Sequence, residues 1–141
     1  MSAAGRRVAV VPCSGIGKSL GTVSREAAYE LCDVLRPDAT QLVALSKLVL
    51  GDAEARERVR ANAAVTIDGC KQMCAAKLVK HSGGNLIREV AVFEVFRNHK
   101  DLKPEGIAEL NPEGKRLARV LAKEIAELLD EIRLDEGGQH A

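Results

Sequence analysis

The sequence predicts an α/β fold: a single three-layer domain with a mainly parallel sheet of about four strands and helices on both faces. The chain has 141 residues, the usual length of one domain. Short apolar runs alternate with segments of helical periodicity, as in parallel strands joined by helical crossovers. Apolar residues make up 46% of the chain, with one Tyr and two Phe, so the core must consist mainly of aliphatic side chains.

The first part of the chain predicts a strand, a helix and a second strand. Residues 8–11 are a continuous apolar run, which is typical of a strand buried on both faces. A helix is expected over about 22–35, because its apolar residues share one face and Pro37 stops it. Residues 41–45 have the composition of a second strand.

The middle of the chain repeats this alternation. Asp52 is placed to cap a charged helix over 53–61. Residues 64–67 predict a third strand, and a helix is expected to follow it over about 70–80. After a glycine-rich turn, residues 86–96 have the pattern of a fourth strand.

The last predicted element is a long helix over about 112–134. Asn111 is a good capping residue, and Pro112 suits the first helical turn. Apolar residues recur at helical spacing through this segment. We expect one domain over 1–141, in which residues 135–141 form a frayed tail.

Composition argues against several classes of function. The net charge is +1 and aromatic residues are scarce, so neither a basic nucleic-acid surface nor a base-stacking platform is indicated. No apolar run is long enough to span a membrane, and the one near the N-terminus is too short for a secretory signal. We therefore expect a cytoplasmic protein without nucleic-acid or membrane partners. In that reducing compartment its four cysteines are more often ligands or reactive thiols than disulfides.

Three cysteines form the most informative pattern. Cys70 and Cys74 are four residues apart, so on a helix their Cβ atoms would lie about 6 Å apart on one face. That separation lets two thiolates share a zinc ion at bonds of about 2.3 Å. Cys13 follows the first predicted strand and Cys70 the third, and the carboxyl ends of parallel strands meet at one edge. The alternative is that these cysteines pack as small apolar residues, as we expect for Cys32 in the first helix.

The loop after the first strand does not predict a nucleotide site. Residues 17–19, Gly-Lys-Ser, match the end of a phosphate-binding loop, but Pro12 stands where its first glycine would be. A phosphatase-like loop would need an arginine several residues after Cys13, and Lys18 is the nearby cation. Cys13 is therefore interpreted together with the other cysteines.

Three segments together resemble the DGC domain family, which is named for its Asp-Gly-Cys motif. They are Pro12-Cys13-Ser14-Gly15-Ile16-Gly17-Lys18, Ser24-Arg25-Glu26-Ala27-Ala28-Tyr29 and Asp68-Gly69-Cys70-Lys71-Gln72-Met73-Cys74-Ala75. The resemblance extends over about 8–96 and implies a zinc site. It assigns the metal-binding cysteines to Cys13, Cys70 and Cys74. Ala44 stands where the family tends to have a further cysteine, which implies three thiolates completed by water, Asp68 or an external ligand.

The leading hypothesis is a metal-binding protein with a cysteine-thiolate site, and zinc is the expected metal. One alternative is a thiol redox or sulfur-transfer protein, with Cys70 as the nucleophile and Cys13 or Cys74 as the resolving thiol. Another is an iron–sulfur protein, although a cluster usually takes four protein ligands. The sequence leaves open whether the protein is an enzyme, and whether its metal is structural, catalytic or in transit.

Overall fold

The four strands form one parallel sheet in a computed structural model that describes residues 7–13, 18–69 and 71–140, with backbone alone for 133–140. The strand order is β2-β1-β3-β4 and every neighbouring pair is parallel. The strands are β1 (Val8–Pro12), β2 (Thr40–Leu42), β3 (Ala63–Asp68) and β4 (Asn85–Ala91). The predicted α/β class and parallel sheet are confirmed.

Helices connect the strands and cover both faces of the sheet. They are α1 (Ser19–Glu30), which continues into a π-helical turn (Leu31–Leu35), then α2 (Leu45–Leu50), α3 (Ala53–Ala61), α4 (Cys74–His81), α5 (Val92–Arg97) and α6 (Pro112–His140). None of the helices in the described ranges is both long and apolar enough to cross a membrane.

Strand β1 has a separate hydrophobic core on each side, which explains its continuous apolar run. Val10 belongs to the larger core, to which α1 and α6 contribute. Ala9, Val11 and Cys13 belong to the smaller core, together with residues of α2, α3 and α4. Cys13 thus extends the alternation of β1 by one residue and lies on the side of α2–α4.

The strand order places a topological switch point between β1 and β3. Helix α1 leaves β1 over one face of the sheet, whereas α4 leaves β3 over the other. The chain therefore diverges where the carboxyl ends of these adjacent strands meet, and parallel sheets commonly bind ligands in that crevice. Cys13 follows β1 directly and Gly69 follows β3 directly.

Two predicted strands end earlier than expected. The second stops at Leu42, because Leu45 and Leu48 are buried at a helical spacing of three within α2. The fourth stops at Ala91 and is followed by α5. Strand-forming residues fill α5, yet Val92, Val95 and Phe96 pack on the larger core at helical spacing. Tertiary burial overrides local propensity at both places.

The helix predicted over 70–80 begins at Cys74, so the shared helical face proposed for Cys70 and Cys74 is wrong. Met73 precedes α4 in the left-handed conformation, with φ of 53°, which an α-helix cannot contain. Lys71 and Gln72 form a turn. Cys70 itself lies outside the described residues.

The other helix predictions need smaller changes. Helix α1 begins at Ser19, earlier than expected, and its last part is π-helical. Asp52 caps α3 as predicted, since its carboxylate accepts a hydrogen bond from the Ala55 N–H at 2.9 Å. Helix α6 begins after Asn111, as expected, but reaches His140, so 135–140 are helical; Ala141 is outside the described residues.

Candidate functional site

Cys13 is held by the loop that follows β3. Its side chain is 2% exposed, and the Gly69 N–H donates a hydrogen bond to its Sγ at 3.1 Å. The Cys13 N–H donates to the Ile67 carbonyl at 2.8 Å, which extends the β1–β3 pairing by one bond. The two predicted strand ends therefore meet, and the residue in contact with the Cys13 sulfur immediately precedes Cys70 in the chain.

Ser24 supplies a second polar contact to the same sulfur from α1. Its side chain is fully buried, and its Oγ lies 3.3 Å from the Cys13 Sγ. The shortest hydrogen bond of this hydroxyl is the one it donates to the Gly21 carbonyl, at 2.6 Å. Because the hydroxyl proton points to the Gly21 carbonyl, the Cys13 thiol donates to the Ser24 oxygen. Rotation of the hydroxyl would let Ser24 donate to a Cys13 thiolate instead.

Asp68 fixes the beginning of α4 from the end of β3. The carboxylate is fully buried, with Oδ1 accepting the Ala75 N–H at 2.8 Å and Oδ2 accepting the Ala76 N–H at 3.1 Å. Burial raises the pKa of this carboxyl, and the two amide hydrogen bonds partly oppose the shift. Asp68 thereby closes the loop between β3 and α4, the loop that carries Cys70 and leads to Cys74.

Gly69 is required by close packing against α1. A Cβ atom at this position would lie 2.6 Å from the carbonyl carbon and oxygen of Leu20. Any side chain would push the loop away from α1 and weaken the contact between the Gly69 amide and Cys13. Two residues of the Asp-Gly-Cys motif therefore have different structural roles. Asp68 caps α4, and Gly69 lets the loop pack closely against the backbone of α1.

Cys74 is the first residue of α4 and is exposed. The positive end of the helix dipole favours a thiolate in this first turn. With Cys70 outside the described part of the chain, the remaining described residues contain no group of three His, Cys, Asp or Glu that could hold a metal ion. The structure thus places Cys13 and Cys74 individually and leaves the three-cysteine assignment a prediction.

Cys32 and Ala44 are the two remaining positions on which the sequence bears. Cys32 packs in the larger core, where burial raises the pKa of its thiol, as expected for a core cysteine. Ala44 is exposed, precedes α2 and lines a cavity of about 170 Å³ together with Cys13. The carboxyl end of β2 therefore does approach Cys13.

Sequence reasoning missed the roles of Ser24 and Gly69. Ser24 is a polar residue among buried positions of α1, namely Val23, Ala27 and Ala28. These apolar neighbours indicate that Ser24 is buried. They do not indicate that its hydroxyl contacts Cys13, which lies eleven positions away in the chain. Gly69 was recognised as part of a motif, whereas its contact with Leu20 depends on the tertiary fold.

The chain matches a known protein family. The family model described as the DGC domain matches residues 9–113, which include all but the first residue of β1, the Asp68 loop and the start of α6. Neither the curated proteins nor the solved structures compared with the chain gave a match. Since the matched region covers most of the sequence, the chain belongs to the DGC domain family.

Proposed function

We propose that this protein binds a metal ion, with zinc as the preferred metal, through Cys13, Cys70 and Cys74 at the switch point between β1 and β3. The observation that carries the proposal is the 3.1 Å hydrogen bond from the Gly69 N–H to the Cys13 Sγ. It brings the sulfur at the end of β1 against the residue that precedes Cys70. Sequence separation is thus no obstacle to a shared site.

The chemistry of the donors supports a thiolate-bound metal. Thiolates are soft ligands that favour zinc over magnesium or calcium. Cys74 begins α4, where the helix dipole lowers the cost of ionisation. Amide and hydroxyl donors around a ligating sulfur orient it and tune its basicity, and Gly69 and Ser24 can fill these roles for Cys13. A bound zinc ion would stabilise this edge of the sheet and could act there as a Lewis acid.

The direct test is the metal content of the full-length protein after anaerobic purification. We expect about one zinc ion per chain and no visible absorbance, as for a mononuclear thiolate site. Cys13→Ser, Cys70→Ser and Cys74→Ser should each lose most of the metal. Cys32→Ser is the matched control and should retain the metal, because Cys32 is a buried cysteine of the larger core, on the other side of the sheet from Cys13. Equal loss in Cys32→Ser, or metal-free wild-type protein, would contradict the assignment.

A thiol redox or sulfur-transfer function is the second candidate. The observation in its favour is Cys74, an exposed cysteine in the first turn of a helix. Metal-free protein with a rapidly alkylated thiol would support this function. A brown protein containing iron would instead support the iron–sulfur alternative.

We further propose that the protein acts in the cytoplasm without a nucleic-acid partner. The support is chemical: a reducing compartment keeps thiolates available for metal. The net charge of +1 offers no general attraction to phosphate backbones. Fractionation of cells and a salt-dependent nucleic-acid binding assay would test the two statements separately.

A further inference from the structure

The cavity beside Cys13 has a composition that neither the fold nor the proposed metal site explains. It lies between α1 and the connection from β2 to α2, is open to solvent and has a volume of about 170 Å³. Cys13 forms part of its wall, so the cavity opens at the carboxyl ends of β1 and β2. This edge is where parallel α/β sheets bind ligands.

The charge of the lining distinguishes this cavity from two others on the same molecule. Arg25 contributes the charge, and the described lining residues include no acid. A second cavity, next to α2 and α3, has two acidic and two basic side chains, namely Asp52, Glu54, Lys47 and Arg58. A third, next to α1 and α6, is lined by more acids than bases. The cavity beside Cys13 is therefore the one of these three whose lining favours an anion.

Arg25 is held in place on the cavity wall. It is half-buried, and its Nη2 donates a hydrogen bond to the Thr22 Oγ1 at 3.2 Å. That hydroxyl in turn donates to the Ile107 carbonyl at 2.6 Å. A guanidinium carries five N–H donors in a planar fork, a shape that matches a carboxylate. Fixing the guanidinium before binding reduces the side-chain entropy that a ligand must overcome.

The remaining walls favour a ligand that is apolar at one end. Leu42 and Leu45 provide apolar surface, and the lining also includes Tyr29 and Ser46, two residues that carry hydroxyl groups. A volume of 170 Å³ is close to that of an engineered protein cavity of about 150 Å³ that accommodates benzene. The part of an occupant that lies within the cavity is thus about five or six non-hydrogen atoms, close to the size of benzene.

We propose that this cavity binds a small organic carboxylate, with the carboxylate paired to Arg25 and the aliphatic part against Leu42 and Leu45. Binding itself does not require the metal. A second part of the proposal rests on the proposed function. Because Cys13 forms part of the cavity wall, a ligand that also carries a thiol would reach the metal site.

The first test titrates zinc-free, full-length protein with propionate and follows backbone amide resonances by NMR. We expect saturable shifts at Leu45 and Ser46 with a dissociation constant of millimolar order, as befits so small a ligand. The neutral alcohol 1-propanol, which keeps the three-carbon chain, should bind about tenfold more weakly, since it lacks the charge-assisted pair. Absence of saturable shifts, or equal affinity for propionate and propanol, would overturn the proposal.

Arg25→Gln supplies the residue-level test. It should weaken propionate binding about tenfold, whereas Arg119→Gln removes a cation from the third cavity and should leave binding unchanged. Unaltered affinity in Arg25→Gln would overturn the role of Arg25. Should that variant fail to fold, Arg25→Lys keeps the charge without the planar fork, and the propionate–propanol comparison in the wild type still decides the proposal.

The second test separates this inference from the proposed metal site. 3-Mercaptopropionate and butyrate have the same number of non-hydrogen atoms and differ by a thiol in place of a methyl group. We expect equal binding to zinc-free protein and at least about tenfold tighter binding of the thiol to zinc-loaded protein. Equal affinities with zinc present would overturn the link to the metal, while carboxylate binding in zinc-free protein would stand. Failure of zinc to bind would instead refute the proposed function.

Discussion

Cys13 and Cys74 lie after neighbouring strands of the same sheet, yet their surroundings are opposite. Cys13 is buried, with the Gly69 amide and the Ser24 hydroxyl against its sulfur. Cys74 is exposed, and its position is determined by the backbone of α4, which Asp68 caps through Ala75 and Ala76. Cys13 is thus held by contacts to its sulfur inside the protein, whereas Cys74 lies at the exposed start of a capped helix.

This difference suggests how the proposed site divides its tasks. A buried sulfur with amide and hydroxyl contacts is oriented before a metal arrives, which reduces the reorganisation on binding. An exposed thiol at a helix start is accessible from solvent, so it suits the entry of metal or the reaction of the alternative redox function. Substitutions on the two sides should therefore affect stability and metal binding in different proportions.

The largest effect on stability is expected from Asp68→Ala. It removes two charge-assisted hydrogen bonds and leaves the Ala75 and Ala76 N–H groups buried without acceptors, a loss of about 2–4 kcal/mol in the free energy of unfolding. Urea denaturation of zinc-free protein measures it. Asp52→Ala is the control, because it removes an exposed cap from α3 and should cost about 1 kcal/mol. A smaller loss in Asp68→Ala than in Asp52→Ala would show that Asp68 does not hold the loop.

The next effect compares the two cysteines directly in zinc-free protein. Cys13→Ser places a more polar group in a buried site and should cost about 1–2 kcal/mol. Cys74→Ser changes an exposed side chain and should stay within about 0.5 kcal/mol. Melting with added zinc should then reveal loss of the metal-dependent stabilisation in both variants. A destabilised Cys74→Ser without metal would mean that the Cys74 side chain contributes to packing.

The accuracy of the sequence predictions differs between parts of the molecule for physical reasons. Strand β1 and helix α6 were predicted well because their patterns report burial directly: both faces of β1 are covered, and α6 keeps its apolar residues on one side. The start of α4 was wrong because two features that determine it are invisible to periodicity. These are the left-handed backbone of Met73 and the cap from Asp68, seven positions before its first partner.

The candidate site was predicted in outline through the positions of strand ends. Because the carboxyl ends of neighbouring parallel strands meet at one edge, Cys13 was expected near the loop after β3. The Gly69–Cys13 hydrogen bond, between residues 56 positions apart, agrees with this expectation. The contact of Ser24 with Cys13 and the close packing of Gly69 on Leu20 could not be predicted. Each depends on the angle at which α1 crosses the end of the sheet, which no local pattern encodes.

Ala44→Cys tests whether the end of β2 can contribute to the proposed site. Ala44 shares a cavity with Cys13, so a thiolate there should add a fourth soft ligand and tighten zinc binding about tenfold. Competition with a chelator under reducing conditions measures the change. Val49→Cys is the control, since Val49 is an exposed α2 residue outside the described lining of that cavity, and its affinity should equal that of the wild type. Unchanged affinity in Ala44→Cys would place the fourth position elsewhere.

The smallest effect is expected from Ser24→Ala, which separates orientation of the Cys13 sulfur from stability of the fold. Alanine has the higher helix propensity, which offsets the lost hydroxyl contacts, so the free energy of unfolding should change by no more than about 0.5 kcal/mol. Zinc affinity should fall about fivefold, less than for many supporting residues because the Gly69 N–H still contacts the sulfur. Thr22→Ala is the control: it removes the bond to Ile107 from the same helix and should lower stability without changing zinc affinity. The reverse pattern, in which Ser24→Ala loses stability and keeps its zinc affinity, would assign Ser24 to packing alone.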